Sequence, residues 1–186
     1  MFLIVGLGNP EPKYSWTRHN VGFELINKLA YDHDINIKKV KHRSHFGQGV
    51  IGGQKVILAK PTTYMNLSGE SIREIAKTKG IPLDHILVIH DEIQLEVGMT
   101  RLKFSGGAGG HNGIRNAIAC LGSNDFARVR IGIGHPGPIP LSDYVLSKFH
   151  TKEHPEVISS ITRAGEAVEA ILKDGLTQAM NIYNQK

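Results

Sequence analysis

Phe2-Leu3-Ile4-Val5-Gly6-Leu7-Gly8-Asn9-Pro10 is the stretch on which the fold turns. Its apolar run over 2–7, with β-branched members, is too short for a helix and stops at turn residues, so it reads as a buried strand. The pattern then changes period. Val21, Leu25, Ile26 and Leu29 fall at helical spacing, and Asn20 stands where it can cap that helix. Segments 46–52 and 55–60 flank Gly52-Gly53, a hairpin signal. Ser68 or Asn66 is placed to cap a helix running to Lys79, with Ile72, Ile75 and Ala76 inward and Gly80 and Pro82 as its stop.

A second short buried strand, 86–89, ends at His90-Asp91. Residues 98–104 pair as a further strand, and a glycine-rich loop over 105–113 leads into a helix at 114–121. From 126 to 133 the chain alternates Phe126, Arg128 and Arg130 with Ala127, Val129 and Ile131, a strand with one polar face. The tail over 155–183 is helical and breaks at Gly175. Strands alternating with helices predict a three-layer α/β fold, one domain over 1–186, with a mostly parallel or mixed sheet. Ligands of such sheets sit outside the carboxyl ends of the strands. Asn9 and Asp91 both follow strands and are candidates for that crevice.

Composition narrows the class. With 40% apolar residues over 186 positions the chain can bury a substantial core, and no run nears the ~18 apolar residues of a membrane span. The first residues lack a basic region and a small-residue cleavage site, so a strand is expected there and not a signal peptide. A single cysteine, Cys120, excludes an internal disulfide framework and fits a reducing, cytoplasmic setting. The net charge of +5 fits either a polyanionic partner or ordinary solubility charge. Lys38, Lys39, Lys41, His42 and Arg43 form the densest basic run, expected as a solvated loop or edge strand.

The polar residues at element boundaries carry the chemistry. They are His19, Asp91 and the amides Asn9, Asn66 and Asn112, with no Ser or Cys in a nucleophile motif. That set points to a positioned water as nucleophile and to hydrolysis without a covalent intermediate. An imidazole titrating near pH ~6.5 can take a proton from water, and Asp91 can fix its tautomer and stabilise its charged form. The asparagines can hold a carbonyl, a water or an oxyanion, although each also fits a turn. His90-Asp91-Glu92 as a metal site lacks a second cluster with ligand spacing. Neither glycine-rich segment is a nucleotide fingerprint: Pro10 and Glu11 interrupt the first, and 105–113 lacks Gly-Lys-Ser/Thr. Lys103, Arg128 and Arg130 are candidates to meet phosphates, or plain surface charge.

Five segments carry a resemblance. They are Gly-Leu-Gly-Asn-Pro-x3-Tyr-x2-Thr-Arg-His-Asn-x-Gly (6–22), Lys-Pro-Thr-Thr-Tyr-Met-Asn-Leu-Ser-Gly (60–69), His-Asp-Glu-Ile (90–93), Gly-Gly-His-Asn-Gly (109–113) and Arg-Ile-Gly-Ile-Gly-His-Pro (130–136). In this order and spacing the chain resembles the bacterial peptidyl-tRNA hydrolases over nearly its whole length. The resemblance implies a twisted mixed sheet flanked by helices. It implies hydrolysis of the ester joining a peptide to the tRNA 3′-ribose by a monomeric cytoplasmic enzyme that uses no metal or other cofactor. By position it implies His19 as catalytic histidine and Asp91 as its carboxylate partner. Asn9, Tyr14, Met65, Asn66 and Asn112 fall at substrate-site positions, and Lys103 and Arg130 at those that clamp tRNA phosphate. Two positions depart from the pattern: Glu11 replaces a usual Gly after Asn-Pro, and Gln94 a second Asp. Two rivals remain open, a non-catalytic RNA-binding relative on the same fold and a general esterase. Retention of His19, Asp91 and the three Asn opposes the first. The lack of Gly-x-Ser-x-Gly and of a metal signature opposes the second.

Overall fold

The computed structural model describes residues 1–185. In chain order the elements are β1 (Phe2–Gly6), α1 (Val21–Asp32), β2 (Lys39–Lys41), β3 (Ser44–Ile51), β4 (Gln54–Pro61), α2 (Ser68–Lys79), β5 (Ile86–Glu92), β6 (Thr100–Lys103), α3 (Asn112–Leu121), β7 (Ala127–Gly132), α4 (Leu141–Val145), α5 (His154–Asp174) and α6 (Leu176–Tyr183). The strands form one sheet in the order β2-β3-β4-β1-β5-β7-β6. β4, β1, β5 and β7 run parallel, while β3 and β6 pair antiparallel at either side, so the sheet is mixed.

The two-residue period of the strands sorts the layers. Ile4, Leu58, Leu87, Ile89, Val129 and Ile131 point to the face covered by α1, α5 and α6. Leu3, Val5, Ile57 and Val88 point to the face covered by α2 and α3. The sequence reading of three layers and one domain therefore describes the architecture. β1 lies in the middle, and the chain builds β4 on one side of it and β5 on the other. That reversal opens a crevice at the carboxyl ends of β1 and β5, where Asn9 and Asp91 stand.

Two glycines set how closely the first helix can approach this crevice. A Cβ on Gly6 would lie 2.2 Å from the Gly22 carbonyl oxygen, and one on Gly22 would lie 2.6 Å from the Ile89 carbonyl oxygen and 2.7 Å from the backbone of Leu7. The first turn of α1 thus sits directly on the backbone of β1 and β5, and the turn before it, Arg18–Asn20, is carried to the end of β5.

Several local expectations need correction. Asn20 does not cap α1 with its side chain. Its amide reaches across to Asn9, accepting from the Asn9 N–H and donating to the Asn9 carbonyl, each at 2.9 Å. The loop after β1 has no strand partner, and this pairing satisfies its backbone. Neither Ser68 nor Asn66 caps α2; the Ser68 hydroxyl donates to the Met65 carbonyl at 2.7 Å. Arg128 is not on a solvent face. It is buried and donates to the carbonyls of Gly107 and Asn124, pinning the glycine-rich loop. The basic run 38–43 divides: Lys39 and Lys41 lie on the exposed edge strand β2, but His42 is buried, with its Nδ1 3.2 Å from Glu74.

The other edge strand, β6, is closed by the end of the last helix. The Asn184 side chain accepts from the Leu102 N–H at 2.7 Å and donates to its carbonyl at 3.0 Å. Among the described residues no helix is long and apolar enough to cross a membrane.

Because a methyl group at position 22 would meet backbone atoms that cannot rotate away, Gly22→Ala should destabilise the protein by about 1–3 kcal/mol. It should also push the His19 turn off β5. Urea unfolding together with turnover would show both losses, and near-normal values for both would mean that α1 can shift freely.

Candidate active site

Asp91 is the last inward-facing residue of β5 before its end, and it is buried. A carboxylate there has lost its water and must be given donors. Two imidazoles supply them. His19 Nδ1 lies 2.8 Å from Asp91 Oδ2, and His111 Nε2 lies 2.8 Å from Asp91 Oδ1. His19 arrives on the turn before α1. His111 is the N-cap of α3, and its Nδ1 accepts from the Ile114 N–H at 3.2 Å. That bond leaves the proton on His111 Nε2, facing the carboxylate. With its Nδ1–H also given to Asp91, His19 keeps Nε2 for the cleft that it lines.

The electrostatics follow from this geometry. Burial pushes the Asp91 carboxyl up, but the charge and N–H groups of His19 and His111 hold it well below the usual carboxylate range. Burial works against a charged His19, yet the Asp91 charge and hydrogen bond together outweigh it, and the His19 pKa is raised. His90 goes the other way. Its ring packs edge-on to His111, its Nδ1 donates to the Asp91 carbonyl at 2.7 Å, and burial followed by His111 pushes it down to about 3.

The cleft above Asp91 has a volume of about 260 Å³. Its polar side carries His19, His111 and Asn112, and Leu141 and Val145 of α4 with Ile93 form its apolar side. Asn112 also lines a neighbouring open recess with Asn66, Arg115 and Asn116. Its Oδ1 accepts from Arg115 at 3.3 Å, which leaves its NH₂ group to donate. Asn9 is buried, and its Oδ1 accepts from the Met65 N–H at 2.9 Å, an orientation that directs its NH₂ group away from that bond. Met65 is also buried, and a Cβ on Gly113 would lie 2.7 Å from its sulfur. Tyr14 is half-buried and lies outside the residues that line the cleft.

Lys103 and Arg130 meet in a small pocket of about 60 Å³ with Glu92, Gln94 and Gly109. Glu92 and Gly109 line the cleft as well, so the two spaces adjoin. Arg130 Nη1 is 3.6 Å from Glu92 Oε1. Both departures from the family pattern are accommodated. Glu11 accepts from the Tyr64 hydroxyl at 2.6 Å and pairs with Lys13, and the Gln94 N–H donates to Glu92.

Two functional candidates escape the sequence reading. His111 is overshadowed there by its neighbour Asn112, although a His directly before a helix start is placed to cap it. Arg18 enters only as part of a motif, yet it is buried, with its guanidinium 4.4 Å from the Tyr144 ring centroid.

His90 gives this site a pH signature. Its folded pKa is depressed, so the stability it allows is present above the unfolded value of ~6.5 and is lost as pH falls toward 3. His90→Gln should remove that one-proton slope, at most about 1.4 kcal/mol per pH unit. Urea midpoints measured between pH 4 and 7 would reveal it, and an unchanged slope would mean that His90 charges freely in the fold.

Comparison with known proteins agrees over the full length. The family model described as peptidyl-tRNA hydrolase matches residues 3–186. The peptidyl-tRNA hydrolase of Lachnoclostridium phytofermentans is 49% identical over 100% of this chain and 98% of its own length. That of Alkaliphilus metalliredigens is 50% identical over 99% and 100%. A crystal structure of peptidyl-tRNA hydrolase from Acinetobacter baumannii superposes with a TM-score of 0.92 at 42% identity, covering 97% of this chain and 93% of that one.

Proposed function

We propose a mechanism for a chain that belongs to the peptidyl-tRNA hydrolase family. The protein is an ester hydrolase: it cleaves the bond between a peptide's carboxyl terminus and the tRNA 3′-ribose, which returns tRNA to use. In the proposed mechanism His19 Nε2 takes a proton from a water as that water attacks the ester carbonyl. Asp91 stabilises the imidazolium that forms. The imidazolium then protonates the departing ribose oxygen, giving a peptide carboxylic acid, which ionises, and the tRNA hydroxyl. The observation that carries this reading is the 2.8 Å contact of His19 Nδ1 with a buried carboxylate, which turns the second ring nitrogen to the cleft.

The NH₂ groups of Asn112 and Asn9 are the donors we assign to the ester carbonyl, because the oxygen of each amide is already engaged. Asn66, in the adjoining recess, Met65 and Tyr14 serve substrate positioning in the same proposal. His111 is a positioning residue: it holds the other oxygen of Asp91, with its ring centroid 5.0 Å from that of His19.

His19, Asp91 and His111 also bring possible ligand atoms within 4.8 Å of one another. The donor chemistry favours the hydrogen-bond network over a metal. His111 could free Nε2 for an ion only by moving its proton to Nδ1, which already accepts from the Ile114 N–H. A resident metal or other cofactor therefore has no part in the proposed steps. The cleft is complete within one chain, and its substrate is a product of translation, so we take the enzyme to act as a cytoplasmic monomer.

His19→Ala should lose turnover of N-acetylaminoacyl-tRNA by ~10²–10⁴-fold while retaining tRNA affinity. In the wild type, kcat/KM should fall as pH drops through the raised His19 pKa, with a midpoint above 6.5. Asp91→Asn removes the charge that raises it and should move that midpoint down. Near-normal turnover in His19→Ala, or an acid limb that ignores Asp91→Asn, would count against the assignment.

Lys103 and Arg130 are the proposed phosphate ligands. Each substitution by Ala should lower the salt slope of tRNA binding by about 0.7–0.9 for every phosphate left without its cation. Titrations across a range of salt concentrations decide this, and unchanged slopes in both variants would exclude the clamp.

A further inference from the structure

The residue before His19 in the chain faces the opposite way. Arg18 is 2% exposed. Its guanidinium meets Glu153 in a bidentate pair, Nη1 to Oε2 at 3.1 Å and Nη2 to Oε1 at 2.8 Å. It lies between two rings, 4.4 Å from the Tyr144 centroid and 4.8 Å from the Phe149 centroid. Nη1 also donates to the Ile133 carbonyl and Nε to the Ser147 hydroxyl, each at 3.3 Å. The backbone joins in: the Arg18 N–H donates to the Ser147 carbonyl at 3.0 Å, and Thr17 bridges Lys148.

All these partners belong to one segment. Ile133 is where β7 gives way to a loop, Tyr144 stands on α4, and Ser147, Phe149 and Glu153 lie where the segment returns. Between them the segment carries α4, whose Leu141 and Val145 form the apolar wall of the cleft. The Ile133 carbonyl accepts from the Tyr144 hydroxyl as well, at 2.6 Å, so one atom ties the departure and the return together. A planar guanidinium can make a bidentate pair and two ring contacts at once, which an ammonium cannot.

We propose that Arg18 is a positioning residue that sets the width of the acyl side of the cleft, by fixing both ends of the α4 segment to the residue beside His19. This rests on the reading that the cleft takes a peptidyl ester. Of the ester's two halves, the acyl half carries the side chain of the peptide's last residue, and the apolar wall of Leu141 and Val145 matches it. Holding that wall at a fixed distance from His19 makes the enzyme sensitive to what the side chain fills.

The test uses Glu153→Gln, which breaks the ion pair from the side remote from His19, together with Arg18→Lys, which keeps the charge and loses the planar fork. For N-acetylphenylalanyl-tRNA both variants should show KM raised about tenfold, the equivalent of one interaction of moderate strength, with kcat within about twofold of wild type. For N-acetylglycyl-tRNA the KM should barely move, so discrimination between the two substrates is lost. A fall in kcat with KM unchanged, or equal losses on both substrates, would overturn the proposal.

Amide hydrogen exchange gives a readout without substrate. Residues 134–146 should exchange faster in both variants, while α1 and β5 keep their protection. Unchanged protection over 134–146, or protection lost throughout the molecule, also overturns it. A wild-type protein that hydrolysed neither substrate would defeat the functional reading on its own, with the exchange result still deciding whether Arg18 holds the segment.

Discussion

A carboxylate at the end of a central parallel strand has no water to solvate it, and it must draw hydrogen-bond donors from whatever the fold can bring near. Asp91 draws two, from elements on opposite sides of the sheet: His19 from the turn before α1, and His111 from the N-cap of α3. Much else serves that meeting. Gly6 and Gly22 let α1 descend onto the strands, Asn20 and Asn9 brace the loop that would otherwise crowd it, and Arg128 anchors the glycine-rich loop that delivers His111. The buried charge costs stability that a neutral residue there would not, and the compensation is chemical: one imidazole is left with a single bare nitrogen, oriented and made more basic.

The two histidines on that carboxylate are not equivalent, and the difference comes from their second nitrogens. His111 spends its Nδ1 on a helix N-terminus, a fixed acceptor role that locks its tautomer. His19 spends nothing on Nε2. An arrangement that is symmetrical around the carboxylate becomes directional at the rings, and a proton can move on one side only. His90 completes the asymmetry from below, kept neutral by burial so that it adds no competing charge beneath His111.

The fold was legible wherever a single period governed a segment. The strand at 2–7, the hairpin about Gly52-Gly53, the stop of α2 at Gly80 and the break at Gly175 all follow from local patterns, as does the placing of Asn9 and Asp91 at strand ends. What the sequence concealed were side chains whose partners lie far along it. Asn20 occupies a cap position, but its amide is worth more to the loop backbone eleven residues earlier than to its own helix. Arg128 alternates as a polar-face residue should, yet that face is roofed by the loop it holds. Arg18 binds residues 115 to 135 positions away, and no local signal marks that. The family resemblance supplied residue roles that periodicity could not, but it too spoke of positions and not of which way each side chain turns.

The two edges of the sheet are guarded by different physics. At β6 the Asn184 amide imitates one residue of a neighbouring strand and satisfies the Leu102 backbone outright. At β2 no strand among the described residues pairs with the outer backbone; Lys39 and Lys41 stand on an exposed strand and discourage a second copy by like charge. The first device is indifferent to ionic strength. The second fades once the screening length drops below the spacing between approaching strands, about 3 Å at 1 M salt against about 10 Å at 0.1 M. A solution concentrated in salt thus weakens the guard at one edge alone, β2, on the far side of the sheet from the β7–β6 edge that carries Lys103 and Arg130.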